Sequence, residues 1–203
     1  EVDRVAPLAR LAIERTAGPD IEADIGNRDH RTKAALAVRL LSFPAATADG
    51  LRLLSPDCYG HLRRSTSVTR NFPRVPVRDA WLNHPDGGVF IWPPGFDLLV
   101  GGTARLAYGA DATQEEVARV LATLPPLLGA LHVVPLFFLA RRVLSRRRAA
   151  LAVTAYALLP AAAIWIQFGH GDHHVAEALL LLLLLFLLLL LLPALAHAQT
   201  TAR

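Results

Sequence analysis

Apolar residues along this chain gather in long segments rather than alternating with polar ones. Three segments approach the ~20 residues that an α-helix needs to cross a lipid bilayer, and a fourth is weaker because two arginines and an aspartate interrupt it. The pattern predicts an all-α membrane protein. In chain order we predict a charged N-terminal segment (1–33), a weak first span (34–54), an external loop (55–116), a span (117–140), a cytoplasmic loop (141–148), a span (149–168), an external turn (169–174), a span (175–196) and a tail (197–203).

The last apolar segment is a run of leucines with one charged residue, Glu177, near its start. A leucine zipper would need apolar residues at two of every seven positions, with charged residues beside them. Here every face of the helix is apolar, which is typical of a helix surrounded by lipid. Composition agrees, because 53% of all residues are hydrophobic, more than a soluble domain of this size normally has.

The basic residues predict an orientation in the membrane. The formal net charge is +4, and five arginines fall within the eight residues 141–148. Short arginine-rich loops between spans lie on the cytoplasmic side. So short a loop has no room to follow a phosphate backbone, which argues against nucleic acid as a partner. The loop 55–116 and the turn 169–174 then share the extracytoplasmic face of a multi-pass protein of the cell membrane.

Two parts of that face carry residues with metal-binding chemistry. Asp57 lies at the beginning of the external loop, and Asp172 and His174 lie in the turn before the last span. Together they would supply two carboxylates and one imidazole, with positions left open for a substrate. Such oxygen-rich ligation suits Mg²⁺ or Mn²⁺, and zinc is also compatible with it.

Each of these residues also has a purely structural interpretation. Asp172 would serve equally well as the N-cap of the last helix. Asp57 follows Ser-Pro, where an aspartate commonly starts a turn. We interpret His170 and His173 as bystanders at the membrane surface rather than as ligands.

Four stretches of the chain, taken together and in order, carry a family resemblance. They are "SPDCYGHLRR", "NFPRVPVRDAWLNHPDGG", "WPPGFDLL" and "GHGDHHVAE". They resemble the N-terminal part of the catalytic subunit of oligosaccharyltransferase, a family that includes single-subunit archaeal and bacterial enzymes. The resemblance implies the multi-span helical fold of the GT-C type of glycosyltransferase. It also implies that Asp57, Asp172 and His174 are the ligands of a catalytic Mn²⁺ or Mg²⁺.

The resemblance implies an activity as well. Enzymes of this family transfer an oligosaccharide from a polyprenyl-linked phosphate or pyrophosphate to asparagine in Asn-x-Ser/Thr sequons. By resemblance, Asp57 would also hold the amide of the acceptor asparagine and aid its attack. Arg63 and Arg64 would contact the phosphate of the donor, or alternatively pair with carboxylates of the external loop.

The chain also departs from the family pattern. It has no Trp-Trp-Asp motif, and Trp165 stands where the family usually has an arginine. We therefore expect a fragment that is inactive alone, with a companion chain as one source of the missing parts. Two other classes remain open. One is a metallophosphoesterase with an Asp-His-His motif in an α/β domain, and the other is a membrane segment without catalytic function.

Overall fold

A computed structural model describes residues 46–47 and 50–201 of the chain. This described part contains seven helices and two pairs of very short antiparallel strands. The helices are α1 (Pro56–Asn71), α2 (Gly95–Tyr108), α3 (Gln114–Leu131), α4 (Val133–Arg141), α5 (Arg146–Leu158), α6 (Pro160–Trp165) and α7 (His174–Thr201). The strands are β1 (Ala46–Thr47) with β2 (Gly50–Leu51), in which Ala46 faces Leu51, and β3 (Arg78–Asp79) with β4 (Gly88–Val89), in which Arg78 faces Val89.

The weak first span falls largely outside the described residues, as does the charged segment 1–33. The part of 34–54 that is described does not form a helix, because its end contains the strand pair β1 and β2. The prediction of a helical span is therefore wrong for that end of the segment.

The external loop 55–116, predicted only as a loop, contains two long helices, α1 and α2. The start of α1 follows from its sequence. Ser55 has an extended backbone and its hydroxyl accepts a hydrogen bond from the Cys58 amide at 3.4 Å, while Pro56 occupies a first-turn position and Asp57 supplies a negative charge. Each of these features stabilises a helix N-terminus. The Ser-Pro-Asp sequence is thus the start of a helix rather than an isolated turn.

Helices α1, α2 and α3 pack around the main hydrophobic core. Close approach of α1 and α2 depends on Gly101, since a Cβ there would lie 2.6 Å from Val68 Cγ1. A smaller second cluster joins α4 to α5 through Val133, Phe137 and Val153. The main cluster is built from Leu53, Cys58, Leu62, Phe96, Val100, Ala104, Ala112, Val117, Ala118, Leu121 and Ala122.

The first strong span, predicted at 117–140, corresponds to α3 and α4. Together they form an apolar helical stretch from Gln114 to Arg141 that is long enough to cross a membrane, although 56% of its most apolar window is buried inside the protein. Pro125 and Pro126 lie inside α3. Because proline has no amide hydrogen, Pro126 leaves the carbonyl of Ala122 without its helical partner. That carbonyl accepts a hydrogen bond from the Gly169 amide at 3.1 Å.

The second span, predicted as one helix over 149–168, is divided in two. Helix α5 ends at Leu158, and Leu159 adopts an extended conformation with ψ of 120° before Pro160 begins α6. Proline disfavours the helical conformation in the residue before it, which explains the break. The 13 residues of α5 rise only ~20 Å, less than the ~30 Å of a hydrocarbon core. The prediction of a continuous spanning helix is therefore wrong here.

The leucine-rich segment, predicted as a span at 175–196, forms the helix α7. Its stretch His174–Leu191 has a mean hydropathy of 2.8, and only 11% of it is buried in the protein. Among the described residues, this helix and the Gln114–Arg141 stretch are the two that could cross a membrane by length and composition. Unlike the α3–α4 stretch, α7 presents most of its leucines outward.

We expect Gly171→Ala to destabilise the fold by about 1–3 kcal/mol, the usual cost of overpacking a core. A Cβ at Gly171 would lie 2.3 Å from Leu121 Cγ. Thermal unfolding in detergent would measure the effect, with Gly95→Ala as the control because a Cβ there meets nothing within 4 Å. Combining Gly171→Ala with Leu121→Ala should cost less than the sum of the two single changes. Strict additivity would contradict the proposed close contact.

Candidate metal centre

The turn before α7 is held by backbone hydrogen bonds on both of its sides. The Gly169 amide donates to Ala122 O in α3, and the Gly169 carbonyl accepts from the Leu54 amide just before α1, both at 3.1 Å. Gly169 has φ of +85°, in the left-handed region that favours glycine. These bonds place the turn that carries Asp172 and His174 beside the N-terminus of α1, where Asp57 lies.

Asp172 occupies the centre of this turn and is almost completely buried. Its Oδ1 accepts a hydrogen bond from the His173 amide at 2.6 Å and lies 2.6 Å from His173 Nδ1. The same oxygen lies 3.7 Å from His61 Nε2, while the other oxygen, Oδ2, lies 4.0 Å from His174 Nε2. One carboxylate therefore faces three imidazoles, which arrive from α1 and from the start of α7.

His61 connects the turn to a second buried carboxylate. Its Nδ1 is 2.8 Å from Asp97 Oδ1, and its Nε2 is 3.2 Å from His173 Nδ1. Asp97 is also bound by the Arg64 guanidinium at 3.1 Å and by the Ser65 hydroxyl at 3.3 Å. His61 and Asp97 have no exposed surface. Buried charges are tolerated when they are paired in this way.

The electrostatics of the cluster favour an ionised aspartate beside a cation. Burial opposes protonation of His61, but the interactions with Asp172 and Asp97 outweigh it and raise its pKa to about 9. Burial likewise opposes ionisation of Asp172, yet His61 and the neighbouring histidines hold its pKa well below the usual range. The site thus concentrates negative charge that a proton or a metal ion can compensate.

Asp57 lies in the first turn of α1 with an exposed side chain. It lines an open pocket of about 630 Å³ that also contains Tyr59, Arg63 and Trp92. Among the described residues, two groups of metal-binding side chains have all their ligand atoms within 4.8 Å of one another, and neither includes Asp57. Those groups are His61 with Asp172 and His173, and His173 with His174 and Glu177.

His170 and His173, interpreted from sequence as bystanders, both belong to this region. His173 contacts Asp172 and His61 directly. His170 is buried and its Nε2 has no hydrogen-bond partner. Burial lowers the pKa of His170, against the opposing influence of Asp172 and Asp57. Trp165 packs edge-on against the rings of His170 and His174, each at 5.1 Å between centroids.

The two arginines predicted to contact phosphate have carboxylate partners in the structure. Arg64 is buried, bonded to Asp97 and the Trp92 carbonyl, and its guanidinium lies 4.6 Å from the centroid of the Phe90 ring. Arg63 is partly exposed and donates to Asp79 from Nε at 2.8 Å. Arg64 thus fits the structural alternative stated from sequence, whereas Arg63 also reaches the pocket that Asp57 lines.

Two residues of the cluster, His61 and Asp97, escaped sequence reasoning, and a third, His173, was interpreted as a bystander. His61 stands four residues after Asp57, a spacing that places both on one side of a helix. Recognising α1 as a helix would have singled it out. Asp97 gave no such signal, because its partner lies in another helix and the pairing is purely tertiary.

In sequence and in fold, the chain is similar to glycosyltransferases. No family model matches the chain. Individual relatives do, and they are oligosaccharyltransferases of archaea. The resemblance inferred from the sequence motifs is therefore confirmed.

Two curated relatives and two solved structures illustrate the relationship. The chain is 32% identical over 141 residues to dolichyl-phosphooligosaccharide-protein glycotransferase 1 of Archaeoglobus fulgidus, covering 69% of this chain and 23% of the relative. It is 30% identical over 148 residues to the dolichyl-monophosphooligosaccharide-protein glycotransferase AglB of Haloferax volcanii. This match covers 70% of this chain and 14% of the relative. The chain thus spans less than a quarter of the length of these relatives.

The solved structures agree in fold. The A. fulgidus oligosaccharyltransferase in complex with zinc and sulfate superposes with a TM-score of 0.67 and 25% identity, over 75% of this chain and 19% of that one. Archaeal AglB from the same organism, in complex with an inhibitory peptide and a dolichol-phosphate, superposes with a TM-score of 0.68 and 24% identity. The superposition covers 76% of this chain and 18% of that one. The likeness confirms the helical architecture of the described part.

We expect Asp97→Asn to lower the free energy of unfolding by about 3 kcal/mol or more, because it leaves the buried Arg64 guanidinium without a charged partner. Thermal unfolding in detergent would measure this loss. Arg119→Gln is the matched control, since it breaks an ion pair to Glu115 in which both side chains are well exposed, and its melting temperature should not change. Equal melting temperatures for the two variants would show that the Asp97 pair is not a structural anchor.

Proposed function

We propose that this chain provides the part of an oligosaccharyltransferase that holds the catalytic metal, in an enzyme that transfers a lipid-linked oligosaccharide to asparagine in Asn-x-Ser/Thr sequons. The relatives are named for transfer from a dolichyl-phosphooligosaccharide to protein. The chain spans only a fraction of their length, so the activity of the whole enzyme is a proposal. A companion chain that supplies further parts of the enzyme remains a prediction.

The observation that carries this proposal is that the N-terminus of α1, with Asp57, lies beside the turn that carries Asp172. The Leu54–Gly169 hydrogen bond joins the turn of Asp172 to the residues that precede α1. Cys58, next to Asp57, is completely buried, and burial together with the charge of the nearby Asp172 raises the pKa of its thiol. Motifs more than 100 residues apart in sequence therefore adjoin in space.

Asp57, Asp172 and His174 are the residues we propose as metal ligands. The donor set fits a divalent cation, because Asp172 is held ionised and its Oδ2 faces His174 Nε2. The unpartnered His170 Nε2 nearby is a further neutral nitrogen. A bound Mn²⁺ or Mg²⁺ would stabilise the negative charge that develops on the departing phosphate, and the zinc bound to one related structure is consistent with a divalent site.

The exposed position of Asp57 suits a second task. Its carboxylate lines the open pocket and is free to accept hydrogen bonds from the amide of an acceptor asparagine, which would orient that nitrogen for attack. Arg63 lines the same pocket, so its guanidinium is available to a phosphate on the side opposite Asp79.

We also propose that the α3–α4 stretch, α5 followed by α6, and α7 each take the chain across a lipid bilayer, with the site on the extracytoplasmic face. The outward leucines of α7 form a large apolar surface whose exposure to water would be unfavourable. The arginines of 141–148 follow α4 at the end far from the site and favour the cytoplasmic side. The tail of a polyprenyl donor would then lie beside α7, with its phosphate at the turn.

The alternative classes find less support. A phosphoesterase that uses Asp172, His173 and His174 would need an α/β domain, whereas strands in the described part of the chain are two residues long. A membrane segment without catalytic function would have no need for the buried ionised Asp172. The relatives are glycotransferases.

The function can be tested in a chimera, because the chain covers only part of its relatives. Residues 50–191 would replace the corresponding segment of the A. fulgidus relative, and transfer of glycan to a peptide with an Asn-x-Thr sequon would be measured. We expect activity from the chimera. Asp172→Asn should reduce the rate by a factor on the order of 100 or more, as loss of charge stabilisation in the transition state does.

Asp86→Asn is the control for this chimera, since Asp86 lies in the loop between β3 and β4, away from the turn. Its rate should equal that of the unmodified chimera. If Asp172→Asn retains the full rate while the chimera is active, the proposed metal-binding role is incorrect.

The proposed membrane orientation predicts that a charged side chain on the lipid-facing surface of α7 weakens insertion, whereas a charged side chain outside the spans does not. Leu184→Arg places a guanidinium on the outward face of α7 and should weaken insertion by about 2.5–3.5 kcal/mol. Leu106→Arg is the control, because Leu106 is exposed on α2, outside the candidate spans. Insertion into microsomal membranes, scored by resistance to carbonate extraction, would measure both. Equal insertion of the two variants would contradict the lipid-facing position of α7.

A further inference from the structure

We propose that His61, Asp172 and His173 form a second, buried cation site of the zinc type, beside the site assigned to Asp57, Asp172 and His174. The proposal rests on side-chain geometry and does not depend on glycosyl transfer. It assigns His61 and His173 the role of metal ligands, and it assigns Asp97 the role of orienting one of them.

The three ligand atoms have the spacing that a small tetrahedral ion requires. His61 Nε2, His173 Nδ1 and Asp172 Oδ1 are separated by 3.2, 2.6 and 3.7 Å. Zn–N and Zn–O bonds of about 2.0–2.1 Å in a tetrahedron place neighbouring ligand atoms about 3.3 Å apart. The spacing therefore needs only small shifts to close around an ion, and the fourth position remains for water or substrate.

His61 presents the correct nitrogen for this task. Its Nδ1 is bonded to Asp97 at 2.8 Å, so Nδ1 carries the hydrogen and donates it, which leaves the lone pair of a neutral ring on Nε2. Histidine ligands of metals commonly donate their other nitrogen to a carboxylate, which fixes the ring and raises its basicity. Asp97 is itself held by Arg64 and Ser65.

The net charge of the cluster also favours a bound cation. Asp97 and Asp172 contribute two negative charges, and Arg64 compensates one of them. With both imidazoles neutral, one negative charge remains in an almost completely buried space. A proton on His61 is the competing occupant, and the experiment below separates it from a metal ion.

The site has an opening and a link to its neighbour. His173 lines an apolar crevice of about 240 Å³ whose lining also includes Glu177, so a carboxylate stands at the approach to the cluster. Asp172 directs Oδ1 toward the buried site and Oδ2 toward His174. Its carboxylate would therefore bridge two cations, as carboxylates do in two-metal centres.

Cobalt provides the probe, because Co²⁺ in a four-coordinate site absorbs visible light intensely while six-coordinate Co²⁺ does not. The full chain in lipid nanodiscs would be titrated with Co²⁺ and then with Zn²⁺. We expect one saturable equivalent of the four-coordinate spectrum, displaced by Zn²⁺. His61→Gln should weaken cobalt binding at least tenfold, and His173→Gln, at the start of α7 and outside the main core, provides the same test if the first variant does not fold.

Two controls separate this site from the proposed catalytic one. Asp57→Asn should leave the four-coordinate spectrum unchanged, and so should His84→Gln, which alters an exposed histidine far along the external loop. Absence of the spectrum in the unmodified chain would overturn the proposal and leave a proton on His61. Loss of the spectrum in Asp57→Asn with retention in His61→Gln would overturn it as well, in favour of a single site.

Discussion

Two hydrogen bonds at Gly169, one from its amide to the Ala122 carbonyl and one to its carbonyl from the Leu54 amide, fix the relation between the two halves of the site. The first is possible because Pro126 has no amide hydrogen to give the Ala122 carbonyl. The turn is drawn so close to α3 that Gly171 has no room for a side chain against Leu121. Asp172 is thereby buried beside α1 rather than projecting into solvent. A proline that would weaken an isolated helix is, in this fold, what creates the acceptor for the acidic turn.

Burial of Asp172 then requires partners for its charge, and the rest of the cluster supplies them. His61 reaches it from α1, and Asp97 and Arg64 hold His61 in place. In so deeply buried a position, an ionised carboxylate without such partners would take up a proton. The same arrangement keeps the oxygens of Asp172 available to cations. The contacts that support the fold are thus the same contacts that would prepare the proposed metal site.

Much of the helical content and the similarity to oligosaccharyltransferases could be predicted from the sequence. The length and uniform apolarity of 175–196 indicated α7, and the order of the motifs indicated the oligosaccharyltransferase relatives. The helices of the external loop were not predicted, although Ser-Pro-Asp is a recognisable start of a helix. The span at 149–168 was predicted as continuous because hydropathy averages over a window and ignores the effect of Pro160 on Leu159.

The sequence by itself determined which segments are apolar, where helices begin and end at proline and capping residues, and which motifs resemble a known family. These properties depend on neighbours within a few residues. Only the tertiary structure decided that His61, Asp97 and His173 surround Asp172 while Asp57 stays at an open pocket. The reason is physical. Contacts between α1, α2 and the turn depend on how closely glycines let helices approach and on which carbonyls prolines leave free. The group that fills each such position comes from a distant part of the chain, and no local pattern in the sequence identifies it.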